Sequence, residues 1–176
     1  HESSPCKRGA SLKLQNKCPN YIASQYYGES DKGKIINGYR NENLESQTFK
    51  DESFDLVITQ DVMEHIFNPQ SAFREIARTL KPGGAHIFTV PLINKERTTE
   101  CWAKLDDNNN IIFLKEEEYH GNPINPKGSP VTFHYGYDIV DLIYKSSGMV
   151  TQIFTIDNID LGIRAEYIDV LISRKI

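Results

Sequence analysis

Cysteine is scarce in this chain of 176 residues. Cys6, Cys18 and Cys101 are odd in number and widely spaced. No Cys-x-x-Cys pair marks a zinc knot, and no framework marks a secreted disulfide scaffold. They are read as reduced thiols of a cytoplasmic protein. Long apolar runs are missing as well: none approaches the roughly 18 residues of a membrane helix, and no signal peptide is visible. Basic excess is absent too. Twenty Lys and Arg stand against 24 Asp and Glu, for a net charge of -4 and a pI of about 5.7. That leaves no basic field for nucleic acid or an acidic membrane surface. A small anionic or zwitterionic ligand held by local groups stays open. The chain begins at His1 rather than at methionine, so an upstream piece is expected.

What is present suits one soluble globular domain: 39% apolar and 25% charged residues over a length that can bury a sizeable core. Ser11 to Lys17 is a short helical candidate. Tyr21 to Tyr27 is β-rich and ends at Gly28, and Ile35-Ile36 begins a second extended piece stopped by Gly38. Phe54 to Thr59 (FDLVIT) is apolar almost throughout, which predicts a strand of a parallel sheet buried on both faces. Pro69 to Leu80 places Ala72, Phe73, Ile76, Ala77 and Leu80 at helical spacing, with Pro69 in the first turn. Lys81-Pro82-Gly83-Gly84 stops that helix, and Ala85 to Val90 forms the next strand. Strand, helix, turn and strand make a βαβ unit whose crossover should be right-handed.

Residues 94–130 break the pattern. They hold Asp106 to Asn110 (DDNNN), the acidic run Glu116-Glu117-Glu118 and the turn residues Gly121, Pro123, Pro126 and Gly128. This is read as a long excursion with one short element near Ile111 to Leu114, suited to a lid or substrate wall. Tyr137 to Ser147 returns to helical spacing, with Asp138 as its cap and Gly148 at its end. Val150 to Ile156 and Tyr167 to Ile172 are two strands close enough to pair antiparallel at one edge.

The block from Ser53 to Pro91, SFDLVITQDVMEHIFNPQSAFREIARTLKPGGAHIFTVP, resembles the class I S-adenosylmethionine-dependent methyltransferases of the methyltransferase type 11 kind. A weaker likeness covers most of the chain. It implies an α/β Rossmann-like fold, mostly parallel with a C-terminal antiparallel strand pair. FDLV would be the fourth strand, and the loop after it would border the cofactor. Such proteins usually open with a strand followed by an acid and a glycine-rich turn. Here Glu2 stands for the acid and Gly9 for a late glycine, while Ser4 and Cys6 occupy glycine places. The first strand is expected ahead of Glu2. Gln25 stands where an acid usually meets the ribose hydroxyls, able to accept and donate but carrying no charge. Asn43 and Leu44 match the segment that meets adenine.

Gln60 and Asp61, at the end of the FDLVIT strand, are expected to line the cofactor pocket, because ligands gather at the carboxyl ends of parallel strands. The alternative is a solvated strand end. His65, and His134 in the segment that often supplies acceptor-side residues, are the candidate bases. Each also suits a hydrogen-bonded structural histidine. Glu64 could act there, or cap the next turn, or pair with Arg74. His120, Arg97 and Trp102 are further candidates for substrate contact, and Lys81 is read as decorating a helix end. The resemblance implies methyl transfer from S-adenosylmethionine to a small-molecule acceptor, with no metal called for and the oligomeric state unread. The alternatives are a methyltransferase-like module without activity and, against the absence of Gly-x-Gly-x-x-Gly, a dehydrogenase.

Overall fold

A computed structural model describes every residue except Lys7 and Pro123. The Lys7 position of the expected cofactor turn and the turn role of Pro123 therefore lie outside the described residues. The chain runs β1 (Glu2–Ser3), α1 (Gly9–Lys17), β2 (Ala23–Gln25), β3 (Ile35–Ile36), β4 (Tyr39–Asn41), β5 (Phe54–Gln60), α2 (Pro69–Thr79) and β6 (Leu80–Thr89). The excursion carries β7 (Glu100–Cys101), β8 (Ala103–Leu105), β9 (Ile111–Phe113), β10 (Tyr119–His120), β11 (Ser129–Pro130) and β12 (Phe133–His134). It ends in α3 (Ile139–Ser147), β13 (Val150–Thr155) and β14 (Asp169–Arg174).

Eight strands form one mixed sheet in the order β13-β14-β6-β5-β1-β2-β4-β3. Its middle is parallel: β6 to β5, β5 to β1, β1 to β2 and β2 to β4. The C-terminal pair β13 and β14 is antiparallel, and β14 docks antiparallel on β6. The other edge adds an antiparallel β3-β4 hairpin, which the sequence pattern does not reveal. The strand expected ahead of Glu2 needs correcting: Glu2 and Ser3 themselves occupy the central position, opposite Ile58 and Thr59 on one side and Ala23 and Ser24 on the other.

Alternation along β5 decides which residues meet the core. Phe54, Val57 and Thr59 are buried, whereas Leu56, Ile58 and Gln60 are only half-buried. Val57 and Thr59 stand opposite His86 and Phe88 of β6, whose rings pack beside Phe73 of α2. The strand is thus fully covered on the α2 face and only partly on the other, contrary to the two-sided burial its apolar run predicts. Phe73, Ile76, Leu80, Ile139, Ile143, Met149 and Leu171 complete the core, joining α2 and α3 to the sheet.

Local chemistry sets the ends of these elements. The Asn68 side chain accepts from the Ser71 amide at 3.0 Å, and Pro69 takes the first turn of α2, where its missing N–H costs nothing. The Arg78 guanidinium grips both oxygens of Glu75 and donates to the carbonyls of Gln47 and Phe49, tying the preceding loop to α2. Lys81 to Gly84 loop out of the ladder: pairing jumps from Phe54–Leu80 to Leu56–Ala85. Lys81 itself pairs with Asp55 at 2.9 Å instead of serving the helix end. Gly148 closes α3 at φ 72°, a left-handed position that glycine takes without a Cβ penalty. Asp138 sits at the N-cap, but its carboxylate accepts from the amide and hydroxyl of Thr99 rather than capping α3. Among the described residues, no helix is long and apolar enough to cross a membrane.

His86 is the most consequential polar group in this core. It is fully buried, stacks on Phe88 at 4.3 Å and reaches Thr59 Oγ1 through Nε2 at 3.0 Å. Burial drives its pKa down from 6.5 to about 3. A proton is therefore bound by the unfolded chain long before the folded one. Stability from this group is intact above pH 6.5 and falls as pH drops toward 3, at up to about 1.4 kcal/mol per pH unit. Urea titrations between pH 6.5 and 4.5 should show that slope, and His86→Leu should flatten it. A variant as pH-sensitive as the parent would place the cause elsewhere.

Candidate active site

The parallel strands deliver their polar ends to one edge of the sheet. Glu2 on β1 is buried, and its carboxylate accepts three hydrogen bonds: from Ser11 of α1 at 2.6 Å, Tyr21 at 2.7 Å and Gln60 of β5 at 2.8 Å. Gln60 also approaches Ser11 Oγ at 3.3 Å. Burial, then the hydrogen bond to Glu2, raises the Tyr21 pKa above its ordinary value. Gln60 thus points to the α1 side of the sheet, as the period of two requires for a residue in step with Leu56 and Ile58. Asp61 turns away. It is exposed, at φ 50°, and exchanges hydrogen bonds with Thr89.

Ser4, directly after β1, has φ 55°, and Gly9 opens α1 at φ 58°. Ser4 therefore stands in a glycine place and also takes a glycine conformation. Among the described residues, nothing lies within 4 Å of where a Cβ on Gly9 would be. The amino end of α1 has no side-chain cap, so its first amides remain available to an acceptor. Next along the edge, Gln25 ends β2, and its carbonyl accepts from the Glu42 amide at 3.2 Å. Asn43 gives its amide to Glu29 at 2.6 Å and accepts from the Glu45 amide. Leu44 is buried in the core. Buried Asn41 holds the loop after β2 through Tyr27, Gly28 and Ser30, a role the sequence does not show. A cavity of about 560 Å³ opens near Ile22, Arg40, Phe49 and Ser53, at the starts of β2 and β5. It lies at the opposite end from this rim.

The second group follows β5. Met63–His65 form a single 3-10 turn, and the excursion clamps it. Thr132 donates its amide and hydroxyl to the Glu64 carbonyl and its hydroxyl to the Ile66 carbonyl, at 2.7–2.9 Å. The Tyr135 hydroxyl donates to the Met63 carbonyl at 3.2 Å. This brings three histidines together: His65 and His120 with ring centroids 5.1 Å apart, and His134 joined to them through Glu118. His65 Nδ1 faces the Pro130 carbonyl at 2.8 Å. A carbonyl only accepts, so Nδ1 carries a proton, and in the neutral ring the lone pair falls to Nε2. His134 Nε2 donates to Glu118 at 2.8 Å while Trp102 stacks on its ring at 3.8 Å.

Glu64 is the outlier. It is 2% exposed, and neither carboxylate oxygen has a hydrogen-bond partner among the described residues. His65 Nε2 and His120 Nδ1 lie 3.8 and 3.7 Å from Oε1. Arg74, the partner the sequence suggested, is exposed and makes no ion pair among the described residues. Glu64 and then Glu118 hold the His120 pKa above its ordinary value, against the effect of burial. Glu118 is visible in the sequence only as one member of an acidic run, and its neighbours Glu116 and Glu117 are exposed. Arg97 stays apart, donating to Asn94.

The profile of the family described as "Methyltransferase domain" matches residues 18–88. No curated protein matches the chain in sequence. Its fold is similar to that of an S-adenosylmethionine-dependent methyltransferase from Mesorhizobium loti, at 16% identity, 88% of this chain, 80% of that one and a TM-score of 0.52. A methyltransferase from Methanosarcina mazei aligns over 99% of this chain and 90% of its own at 12% identity and a TM-score of 0.53. A protein from Pyrococcus horikoshii OT3 aligns over 99% and 80% at 16% identity and a TM-score of 0.57. These likenesses show the fold, an α/β Rossmann-like one with a mixed sheet, which the chain shares with these structures.

Two substitutions test this geometry. A left-handed non-glycine residue costs about 1–2 kcal/mol, partly offset by glycine's extra unfolded-state entropy of about 0.5–1 kcal/mol. Ser4→Gly should therefore raise unfolding stability by roughly 0.5–1 kcal/mol, and a loss in denaturant titration would contradict the strain. Thr132→Val removes a buried hydroxyl donor shared by two carbonyls. It should cost about 1–3 kcal/mol, and amide exchange at the 63–66 turn should quicken.

Proposed function

We propose that this chain binds S-adenosylmethionine at the carboxyl edge of β1, β2 and β5 and transfers its methyl group to a small-molecule acceptor. The observation that carries the reading is the linkage of Gln60 to Glu2 across β5 and β1, beside a turn whose Ser4 already has a glycine-type backbone. The residues fit the cofactor's chemistry. Open space above Gly9 and the uncapped start of α1 suit a carboxylate, which the helix dipole favours. Glu2 and Gln60 offer acceptor and amide groups to a charged amine, Gln25 and Asn43 offer amides to ribose and base, and Ser4 supports the turn. Asp61 and Leu44 complete the proposed set from the loop after β5 and the base-facing segment. Bound there, S-adenosylmethionine supplies a methyl group already activated on a sulfonium.

The chain's own residues then need to orient an acceptor and take its proton. Orientation supplies much of such a barrier reduction, and a base adds about 10²–10⁴-fold. His65 offers the lone pair for this, because its proton is committed to Pro130. His134 commits its Nε2 proton to Glu118 and, under Trp102, forms the apolar wall on which an acceptor would lie.

One observation favours a methyltransferase-like binding or structural module instead. Both oxygens of Glu2 and the amide of Asn43 are already satisfied within the chain. Calorimetric titration with S-adenosylmethionine separates the two readings. Saturable binding at one site is expected, weakened roughly tenfold by Gln60→Ala, the cost of one hydrogen bond, and unchanged by Lys81→Ala at the far end of the strands. Absence of heat with both S-adenosylmethionine and S-adenosylhomocysteine would favour the module.

A further inference from the structure

We propose that Glu64, His65 and His120 form a binding site for one divalent transition-metal ion. One ligand atom from each lies within 4.8 Å of the others. Bonds of about 2.0–2.2 Å to nitrogen and oxygen place ligand atoms roughly 3–4 Å apart around a single ion. The 3.8 and 3.7 Å separations from Glu64 Oε1 to His65 Nε2 and His120 Nδ1 match that spacing. Two imidazoles and one carboxylate suit zinc, iron(II) or cobalt(II) better than calcium or magnesium, which prefer oxygen throughout.

Two independent observations point to a cation. First, the Glu64 carboxylate is 2% exposed, lacks a hydrogen-bond partner among the described residues and faces both histidines. A buried carboxylate without a partner is strongly disfavoured, and a bound ion removes the deficit. Second, each imidazole is held by its far nitrogen. His65 Nδ1 donates to the Pro130 carbonyl at 2.8 Å, which in the neutral ring turns the Nε2 lone pair toward Glu64. His120 Nε2 faces Glu118 at 3.4 Å, which turns Nδ1 inward. Metal-binding histidines are typically oriented in this way, by a carbonyl or carboxylate on the opposite nitrogen. Glu118 is itself fixed by His134.

The site draws on two distant parts of the chain, the turn after β5 and strand β10 of the excursion. An ion would fasten the excursion over the carboxyl edge. It would also convert His65 from proton acceptor to ligand; a hydroxyl coordinated there would be more acidic, with solvent taking its proton. The inference rests on side-chain geometry and does not require methyl transfer, so either reading can fail alone.

Chelator-stripped protein titrated with cobalt(II) tests it, followed by visible absorption and by competition with zinc. One equivalent should bind, with ligand-field bands of a mixed nitrogen and oxygen site, and should raise the thermal midpoint. Glu64→Gln and His120→Gln should each weaken binding by more than about 100-fold, since outer partners of metal ligands alone are worth about 10–100-fold. Glu118→Gln should fall within that smaller range. If Glu64→Gln fails to fold by circular dichroism, His120→Gln carries the test, because its side chain is one-third exposed. No stoichiometric uptake by the parent, or uptake undiminished in the variants that fold, would overturn the proposal.

Discussion

The placement of β5 between β1 and β6 is the constraint from which the rest follows. Its register sets Ile58 against Glu2 on one side and Ile87 on the other. Side chains alternate along a strand, so a shift of one residue would exchange the two faces. Val57 and Thr59 would leave the α2 core, and Gln60 would no longer reach Glu2 and Ser11. A single ladder therefore fixes both the burial of the core and the direction of the polar tail. The break at Lys81 to Gly84 does not disturb this, because Leu56 and Ala85 resume the register beyond it.

The two polar groups at this edge differ in how they meet their hydrogen-bonding needs. Glu2 is satisfied by three side-chain donors from α1, the following loop and β5. That network is rigid and costs little, since every buried acceptor is used. Glu64 is held in place by its backbone, through Thr132, while its carboxylate has no donor. The first arrangement ties β1, α1 and β5 together beside the Ser4 turn. The second leaves a buried carboxylate whose neighbours within 4 Å are the imidazoles of His65 and His120.

Legibility in the sequence followed the range of the interactions. The ends of α2 were readable, because Asn68, Pro69 and the apolar spacing all act within one helix. The antiparallel C-terminal strands were also readable, their lengths and short separation allowing little else. The half-covered face of β5 was not, since an apolar run says nothing about which helix lies over each side. The excursion holds more strand than its polar composition suggests. β8 and β9 close around the DDNNN turn, where the Asp106 carboxylate accepts from Asn108 and Asn110. His65 and His134 were individually visible as titratable groups. Their connection through Glu118 was not, because Glu118 and His134 stand 16 positions apart, across β10, β11 and the turn between them, and Trp102 completes the packing from between β7 and β8.

Adjacent residues in a 3-10 turn point in different directions, so Glu64 and His65 cannot converge without outside help. The help comes from the excursion. Thr132 and Tyr135 fix the carbonyls of the turn, Pro130 fixes one nitrogen of His65, and β10 carries His120 to the opposite side. All four contacts come from segments that contribute nothing to the main sheet. A loop serving only as cover would have no reason to orient two imidazoles by their far nitrogens toward one carboxylate. The excursion supplies half of this side-chain cluster, and the turn after β5 supplies the other half.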